Sequence, residues 1–388
     1  MNNPTHSLHL CLFLLLSGHP SSSPAADFAK VDEAVEAAIG RGDCPGAVVL
    51  VVGGDEVVLR KAYGNRAVAP EKAAMTADAV FDLASLTKPL ATGTAVMKLI
   101  EQGKLRPDDL VAKHWPAFGA NGKEAVTVAH LLLHTSGLTA DNPLADYQGG
   151  RETALDRVAA LKPEAPPGTR FRYSDVGFIA LGVVVEKVSG VPLDRFAKTH
   201  VFDPLKMTAT GFRPPESVWP RVAPTGRREG KVVLGAVHDP RAFALGGVAG
   251  HAGLFAPADD LARYCRMLLR GGELDGVRVL MPETVTLFTT ARAVPAGGKP
   301  ADPPRKLVRS YGWDVDTGYS GQRGDGFAKG EGYGHTGFTG TSIWIDPPTR
   351  TAVVVLTSRV HPDDKGNVAR LRRDVATAVA GAVRRRPG

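Results

Sequence analysis

The chain has 388 residues, 43% of them apolar, 22% charged and 6% aromatic. That composition is too apolar for a disordered chain, and the length suffices to bury a core without disulfides or metal, in two to three domains or one domain with a large insertion. Lys and Arg number 47 against 40 Asp and Glu, a net charge of +7. The excess is spread out except at Arg384-Arg385-Arg386, and aromatics are not interleaved with it, so nucleic acid is not an expected partner. No repeat of solenoid or propeller length is visible.

At the N-terminus, Leu8 to Leu16 (LHLCLFLLL) is an apolar core followed by Ser21-Ser22-Ser23 and Pro24-Ala25-Ala26. This pattern predicts a secretory signal over residues 1–26, cleaved near Ala25 or Ala26, although residues 1–7 contain no Lys or Arg. The expectation is therefore an exported protein, periplasmic or extracellular. After this segment no run reaches the ~18–20 apolar residues of a membrane span, so no integral membrane segment is expected in the mature chain. The mature chain would keep Cys44 and Cys265, bridged or free, and no CxxC or Cys/His cluster suggests zinc.

Asp27–Ile39 reads as an amphipathic helix, and the β-rich runs 46–52 and 56–63 flank Gly53-Gly54-Asp55 as a hairpin. From Thr87 to about Val201 the pattern is mostly helical, over 92–102, 127–134, 152–161, 176–188 and 193–201. Residues 212–245 read as loop and Asp259–Leu269 as a helix. Strands are expected over 310–315, 341–345 and 351–357, then a final helix over about 368–383. Strands at both chain ends with helices between predict an α+β fold: an antiparallel β-sheet flanked by helices, with an inserted, mostly helical domain. The expected division is 27–86 plus 241–388 for the sheet domain and 87–240 for the insertion, with a site in the crevice between them.

Two fingerprints fail. There is no GxSxG, and Gly332–Gly337 matches GxGxxG but precedes a strand instead of opening a helix, so no dinucleotide or other cofactor is expected. His130 and His134 are spaced four apart on a helix but lack an acidic partner, so one packing in the core and one capping the helix is the better reading, and no metal site is expected.

Ser85-Leu86-Thr87-Lys88 is the sole S-x-x-K in the chain. One helical turn brings Ser85 Oγ and Lys88 Nζ to the same face. A Ser hydroxyl needs a base before it is a nucleophile, and a Lys can serve if desolvation or nearby positive charge lowers its pKa. A helix starting at Ser85 would also aim N–H groups at an oxyanion. Tyr173 stands just before a helix that Ser174 or Asp175 could cap. His335-Thr336-Gly337 lies at the entry to a β run, where Gly337 lets a substrate approach the strand edge.

Together, Ser85/Lys88, Tyr173 and His335/Thr336/Gly337, separated by 88 and 162 residues, resemble the serine β-lactamase and penicillin-binding protein superfamily. The spacings, with HLLLHTSGL (130–138) and GGVAGHAGLFAPADDLARY (246–264), are similar to its class C branch and the related esterases and D-aminopeptidases. The resemblance implies that Ser85 is the acylated nucleophile, Lys88 accepts or relays its proton and Tyr173 is the companion base. It further implies that the N–H groups of Ser85 and Phe338 form the oxyanion hole, and that Asp175, His335, Thr336 and Gly337 contact substrate. Two departures stand out. Asp175 occupies the place of an amide-contacting Asn, and His335 that of a Lys that would meet a substrate carboxylate, with an imidazole that charges only as pH falls through its pKa. These departures point away from efficient β-lactamase action. The expected activity is that of a penicillin-binding-protein-like serine hydrolase on a D-amino-acid amide or peptidoglycan peptide. A class C-type β-lactamase, a carboxylesterase and a non-catalytic wall-peptide binder are the alternatives. The expected partner is thus a small-molecule or peptide substrate: cell-wall peptide, β-lactam or ester.

Overall fold

The computed structural model describes Met1 and residues 27–296 and 306–384. The expected leader and Cys11 lie outside the described residues, Met1 apart. Nine strands form one antiparallel sheet. In chain order they are β1 (Gly46–Gly53), β2 (Glu56–Ala67), β3 (Ala73–Ala74), β4 (Arg292–Pro295), β5 (Lys306–Arg309), β6 (Asp314–Asp316), β7 (Tyr333–Thr336), β8 (Ser342–Asp346) and β9 (Thr351–Thr357). Their spatial order is β4-β5-β6-β7-β8-β9-β1-β2-β3, so the first and last strands of the chain meet at the β9–β1 pair. The fold is α+β of the kind expected, an antiparallel sheet flanked by helices.

Sequence periodicity explains the layering. β1 and β9 are apolar throughout their interiors, 47–52 and 352–356, and buried there on both faces, as a strand covered on two sides must be. Val49, Val51, Val353 and Val355 face one way, against α1 (Ala29–Gly40) and α5 (Ala369–Val383), through Val31, Val35, Val375 and Val379. Val48, Leu50, Val354 and Leu356 face the other way, into the larger core with Leu261 and Leu268 of α4 (Ala258–Leu269). That core continues without a break into α2 (Thr94–Glu101) and α3 (Asp175–Ser189). A one-residue slip of β1 would swap its two sets of Val and Leu between the layers, so the register is tightly specified.

Some local expectations change. The strand expected over 310–315 is a turn after β5 and the start of β6, because Gly312 adopts a left-handed φ of 79° and Ser310 N–H donates to the Trp313 carbonyl. Residues 333–336, expected only as the entry to a strand, are a strand that pairs with β8. Cys44 and Cys265 are both free and buried. No single helix among the described residues is long and apolar enough to cross a membrane.

α3 packs backbone to backbone on the loop 247–253. A Cβ on Gly250 would lie 1.9 Å from the Phe178 carbonyl oxygen, which cannot move without unwinding the helix. Gly250→Ala is expected to lower unfolding stability by more than about 2 kcal/mol in a urea titration. A variant as stable as the native protein would show that this contact is not tight.

Candidate active site

The turn that carries Ser85 hangs from a small three-stranded sheet. Val80–Asp82 pairs with Leu254–Pro257, which pairs in turn with Gly211–Phe212. Residues 84–86 form a 3₁₀ turn instead of the start of an α-helix, and Lys88–Gly93 continue as a wide π turn. In 3₁₀ geometry positions three apart eclipse, which brings Ser85 and Lys88 together: Lys88 Nζ donates to Ser85 Oγ at 2.9 Å.

Lys88 is fully buried, and its other contacts come from two distant segments. Nζ donates to the His251 carbonyl at 3.1 Å and pairs with Asp175 Oδ1 at 2.6 Å. Burial pulls the Lys88 pKa down, but the Asp175 carboxylate and the Tyr173 hydroxyl outweigh it and hold the ammonium above its ordinary value. This corrects the expectation of a lysine whose pKa is lowered. Asp175, expected as a substrate contact, pairs directly with Lys88.

Tyr173 is placed by the start of α3. Ser174 is the N-cap: its Oγ accepts Gly177 N–H at 3.0 Å and donates to the Thr139 carbonyl at 2.6 Å, while its N–H donates to His134 Nδ1 at 3.0 Å. The His134 ring stacks on Tyr173 at 4.5 Å, and Lys88 Nζ lies 4.9 Å from the Tyr173 ring centroid. Burial pushes the phenol pKa up. The Lys88 ammonium opposes this, Asp175 adds to it, and hydrogen bonding with Lys88 and Ser85 offsets only part, so Tyr173 rests protonated. The His pair divides its labour as the sequence suggests: His134 is buried against Tyr173, and His130 shares a capping box with Thr127.

The third motif closes the cleft. β7 carries His335 and Thr336, and the turn after it presses on the Ser85 turn: a Cβ on Gly337 would fall 2.4 Å from the Leu83 carbonyl oxygen. The need for Gly there is thus close packing of protein on protein. His335 is buried 6.0 Å from the Tyr173 ring, and its Nδ1–H donates to the Thr336 carbonyl at 2.8 Å. Burial, then the charges of Lys88 and Arg309, push its pKa well down, with Arg372 adding to the effect. It is neutral throughout the ordinary His range, against the expectation that it charges there. Phe338 follows with its ring 55% exposed, stacked on His238 at 5.2 Å and under the Arg359 guanidinium at 4.1 Å.

Residues from the stretch expected as loop complete the site. Asp239 caps the helix 240–244 and bonds His251 Nε2 at 2.9 Å. Donor atoms of Asp175, Asp239 and His251 lie within 4.8 Å of one another, a spacing that could suit a metal, but the Lys88 ammonium already sits on Asp175. On the other side, Arg309 is fully buried and pairs with Asp314 at 3.2 Å. Asp314 also accepts from Thr317 and Ser320, which hold Tyr319 with its ring 5.4 Å from Tyr173. Of these only His251 lay in a quoted motif stretch.

The Beta-lactamase family profile matches residues 31–377. The chain belongs to the Beta-lactamase family. An Escherichia coli K12 protein provisionally named D-alanyl-D-alanine carboxypeptidase is 32% identical over 353 residues, 82% of this chain and 79% of the relative. Among solved structures, EstCE1, a hydrolase with promiscuous acyltransferase activity, superposes with a TM-score of 0.72 at 26% identity, covering 91% of this chain and 98% of its own. The octameric penicillin-binding protein homologue of Pyrococcus abyssi gives a TM-score of 0.70 at 26% identity, covering 91% and 77%. The protein is a serine hydrolase of the Beta-lactamase family.

Asp175 raises the pKa of both Lys88 and Tyr173, so Asp175→Asn lowers both. Whichever of the two takes the Ser85 proton, the rise of kcat/KM toward basic pH should begin at lower pH in the variant. A pH–rate profile of native and variant enzyme on one neutral ester checks this; a limb that stays in place rules it out.

Proposed function

We propose that the protein hydrolyses D-amino-acid amides, peptidoglycan peptide in particular, through an acyl-enzyme on Ser85. The Lys88 Nζ to Ser85 Oγ contact, with Tyr173 beside both, carries this reading. Ser85 Oγ attacks the substrate carbonyl carbon and gives its proton to the Tyr173/Lys88 unit. The N–H groups of Ser85 and Phe338 hold the developing oxyanion. The same unit returns the proton to the departing nitrogen as the amide bond breaks, and a water then cleaves the ester by the reverse order of proton transfers. Because Lys88 rests as an ammonium that donates to Oγ, the proton lost to solvent before reaction is the one on Tyr173; Lys88 stabilises the resulting phenolate, which then accepts the Ser85 proton. Thr336 lines the strand side of the pocket. The relative with a carboxypeptidase name supports this substrate class. We also propose export, on the expected leader.

A carboxylesterase is the second reading. A neutral, buried His335 gives a substrate carboxylate no ion pair of its own, and Phe338 and Tyr319 are 55% and 51% exposed at the mouth. Both features suit an uncharged, apolar acyl group, and EstCE1 lends support. The same neutral His335 weighs against an efficient β-lactamase.

Ser85→Ala should lose roughly 10³-fold or more in kcat, and only native protein should gain the mass of an acyl group from a fluorescent penicillin. Label on another residue would displace Ser85 as nucleophile. Turnover of a D-Ala-D-Ala peptide, a p-nitrophenyl ester and a chromogenic cephalosporin by one preparation separates the readings. The peptide is expected to lead and the cephalosporin to trail. If Lys88 and Tyr173 form one unit, Lys88→Ala/Tyr173→Phe should be little slower than the poorer single variant; fully additive losses would separate them.

A further inference from the structure

Asp82 stands three residues before Ser85 and is 2% exposed. Both of its carboxylate oxygens are engaged: Oδ1 accepts Ala84 N–H at 2.8 Å and Oδ2 accepts His238 N–H at 2.6 Å. Ala84, whose N–H it holds, adopts a left-handed φ of 46°, an unfavourable backbone state for a residue with a Cβ. The Asp82 carbonyl accepts Thr339 Oγ1–H at 2.7 Å, and Thr341 Oγ1–H donates to the Leu83 carbonyl at 3.1 Å. The ring of His238, the residue whose backbone N–H Asp82 holds, stacks on Phe338. One buried carboxylate therefore fixes the strained residue that aims the nucleophile and the segment that backs the proposed oxyanion residue.

We infer that Asp82 is a positioning residue for the reaction, and that it holds Ser85 and Phe338 in register only when ionised. The inference rests on Ser85 being the nucleophile proposed above. An ionised carboxylate can accept both N–H bonds. A protonated one keeps one good acceptor and turns the other oxygen toward an N–H as a hydroxyl. Losing one of the bonds frees either Ala84 or His238, and a displacement of about 1 Å at a reacting group can cost on the order of a hundredfold in rate.

The surroundings place this ionisation within reach. Burial pushes the Asp82 pKa up, to about 6; the two N–H bonds lower it, the Asp239 carboxylate raises it and the Arg228 guanidinium lowers it. The other segments packed on it, 254–257 and 337–341, carry no titratable side chain. Arg359 and Asp364 act on His238 behind it.

The test is the slope of log kcat against pH on a neutral ester. With Lys88 and Tyr173 protonated at rest, one proton must leave through the neutral range, giving a slope near one. Below about pH 6 a second proton, on Asp82, also blocks the reaction, and the native slope should steepen toward about two. In Asp82→Asn the steepening should vanish, and kcat at about pH 7.5 should fall roughly tenfold to a hundredfold with KM within about threefold. A structural role alone would lower the amount of folded enzyme and leave the slope as it was. Steepening that persists in Asp82→Asn, or native-like kcat in that variant, overturns the inference. If Asp82→Asn does not fold, native enzyme and Thr339→Val carry the test. A single native slope between about pH 5 and 7.5 overturns the inference. A lowered kcat in Thr339→Val with the steepening retained supports it. Ser85→Ala on the same substrate separates the two levels. Full activity there removes the nucleophile reading itself, whereas an inactive Ser85→Ala beside a native-like Asp82→Asn removes only the role of Asp82.

Discussion

A fully buried ammonium group must spend its N–H donors on partners, and the cleft is assembled around how Lys88 does so. Its contacts go to Ser85 Oγ on the same turn, to the His251 carbonyl in the glycine-rich loop, and to Asp175 at the start of α3. An unpaired cation at this depth would cost several kcal/mol, and removing one member of a buried ion pair typically costs about 3–5 kcal/mol. The desolvated lysine thus ties together three segments that are far apart in sequence. The same pairing fixes the proton inventory: with Asp175 in contact, the resting state is ammonium and phenol.

Tyr173 is held by a second set of constraints that does not involve Lys88. The Ser174 cap fixes the backbone at the start of α3, and the His134 ring supplies a flat, neutral surface behind the phenol. His134 accepts Ser174 N–H through Nδ1, so its proton sits on Nε2. On the opposite side the Arg309–Asp314 pair, through Thr317 and Ser320, holds Tyr319 against Tyr173. Each layer sets the aim of Tyr173 through its own contacts, the Ser174–His134 bond on one side and the Tyr319 ring on the other.

Local spacing made part of this legible in the sequence. A spacing of three positions from Ser85 to Lys88 suffices to predict their contact in a helical turn, and the near-continuous apolar runs of 47–52 and 352–356 suffice for two strands. What the sequence concealed depends on contacts across long separations. Asp239 and His251 lie in or beside a stretch with little periodicity, and their meeting with Asp175 depends on how α3 packs on the glycine-rich loop. The sign of the Lys88 shift depends on another such contact. The substitution of Asp for Asn at 175 was visible, but not that its carboxylate would sit 2.6 Å from the ammonium. Asp82 lies only three residues before Ser85, yet its partner His238 is 156 residues away.

The neutral state of His335 follows from this charge arrangement. Lys88, Arg309 and Arg372 all act on it with the same sign, and burial denies the imidazolium its water. A lysine at 335 would add one more cation to that group, in a strand position paired with Ile343 and closed over by neighbouring strands. Its charge would have to be met by an anion, and Asp314, the carboxylate paired with Arg309, is already committed to that guanidinium, Thr317 and Ser320. Histidine offers a polar ring that bonds the Thr336 carbonyl through Nδ1 and carries no charge. The cations that act on His335 thus lie behind the surface and are already engaged: Lys88 with Asp175, Arg309 with Asp314, and Arg372 with the Gly337 and Thr341 carbonyls. A neutral imidazole is therefore the side chain that this position holds without a further buried charge to be met.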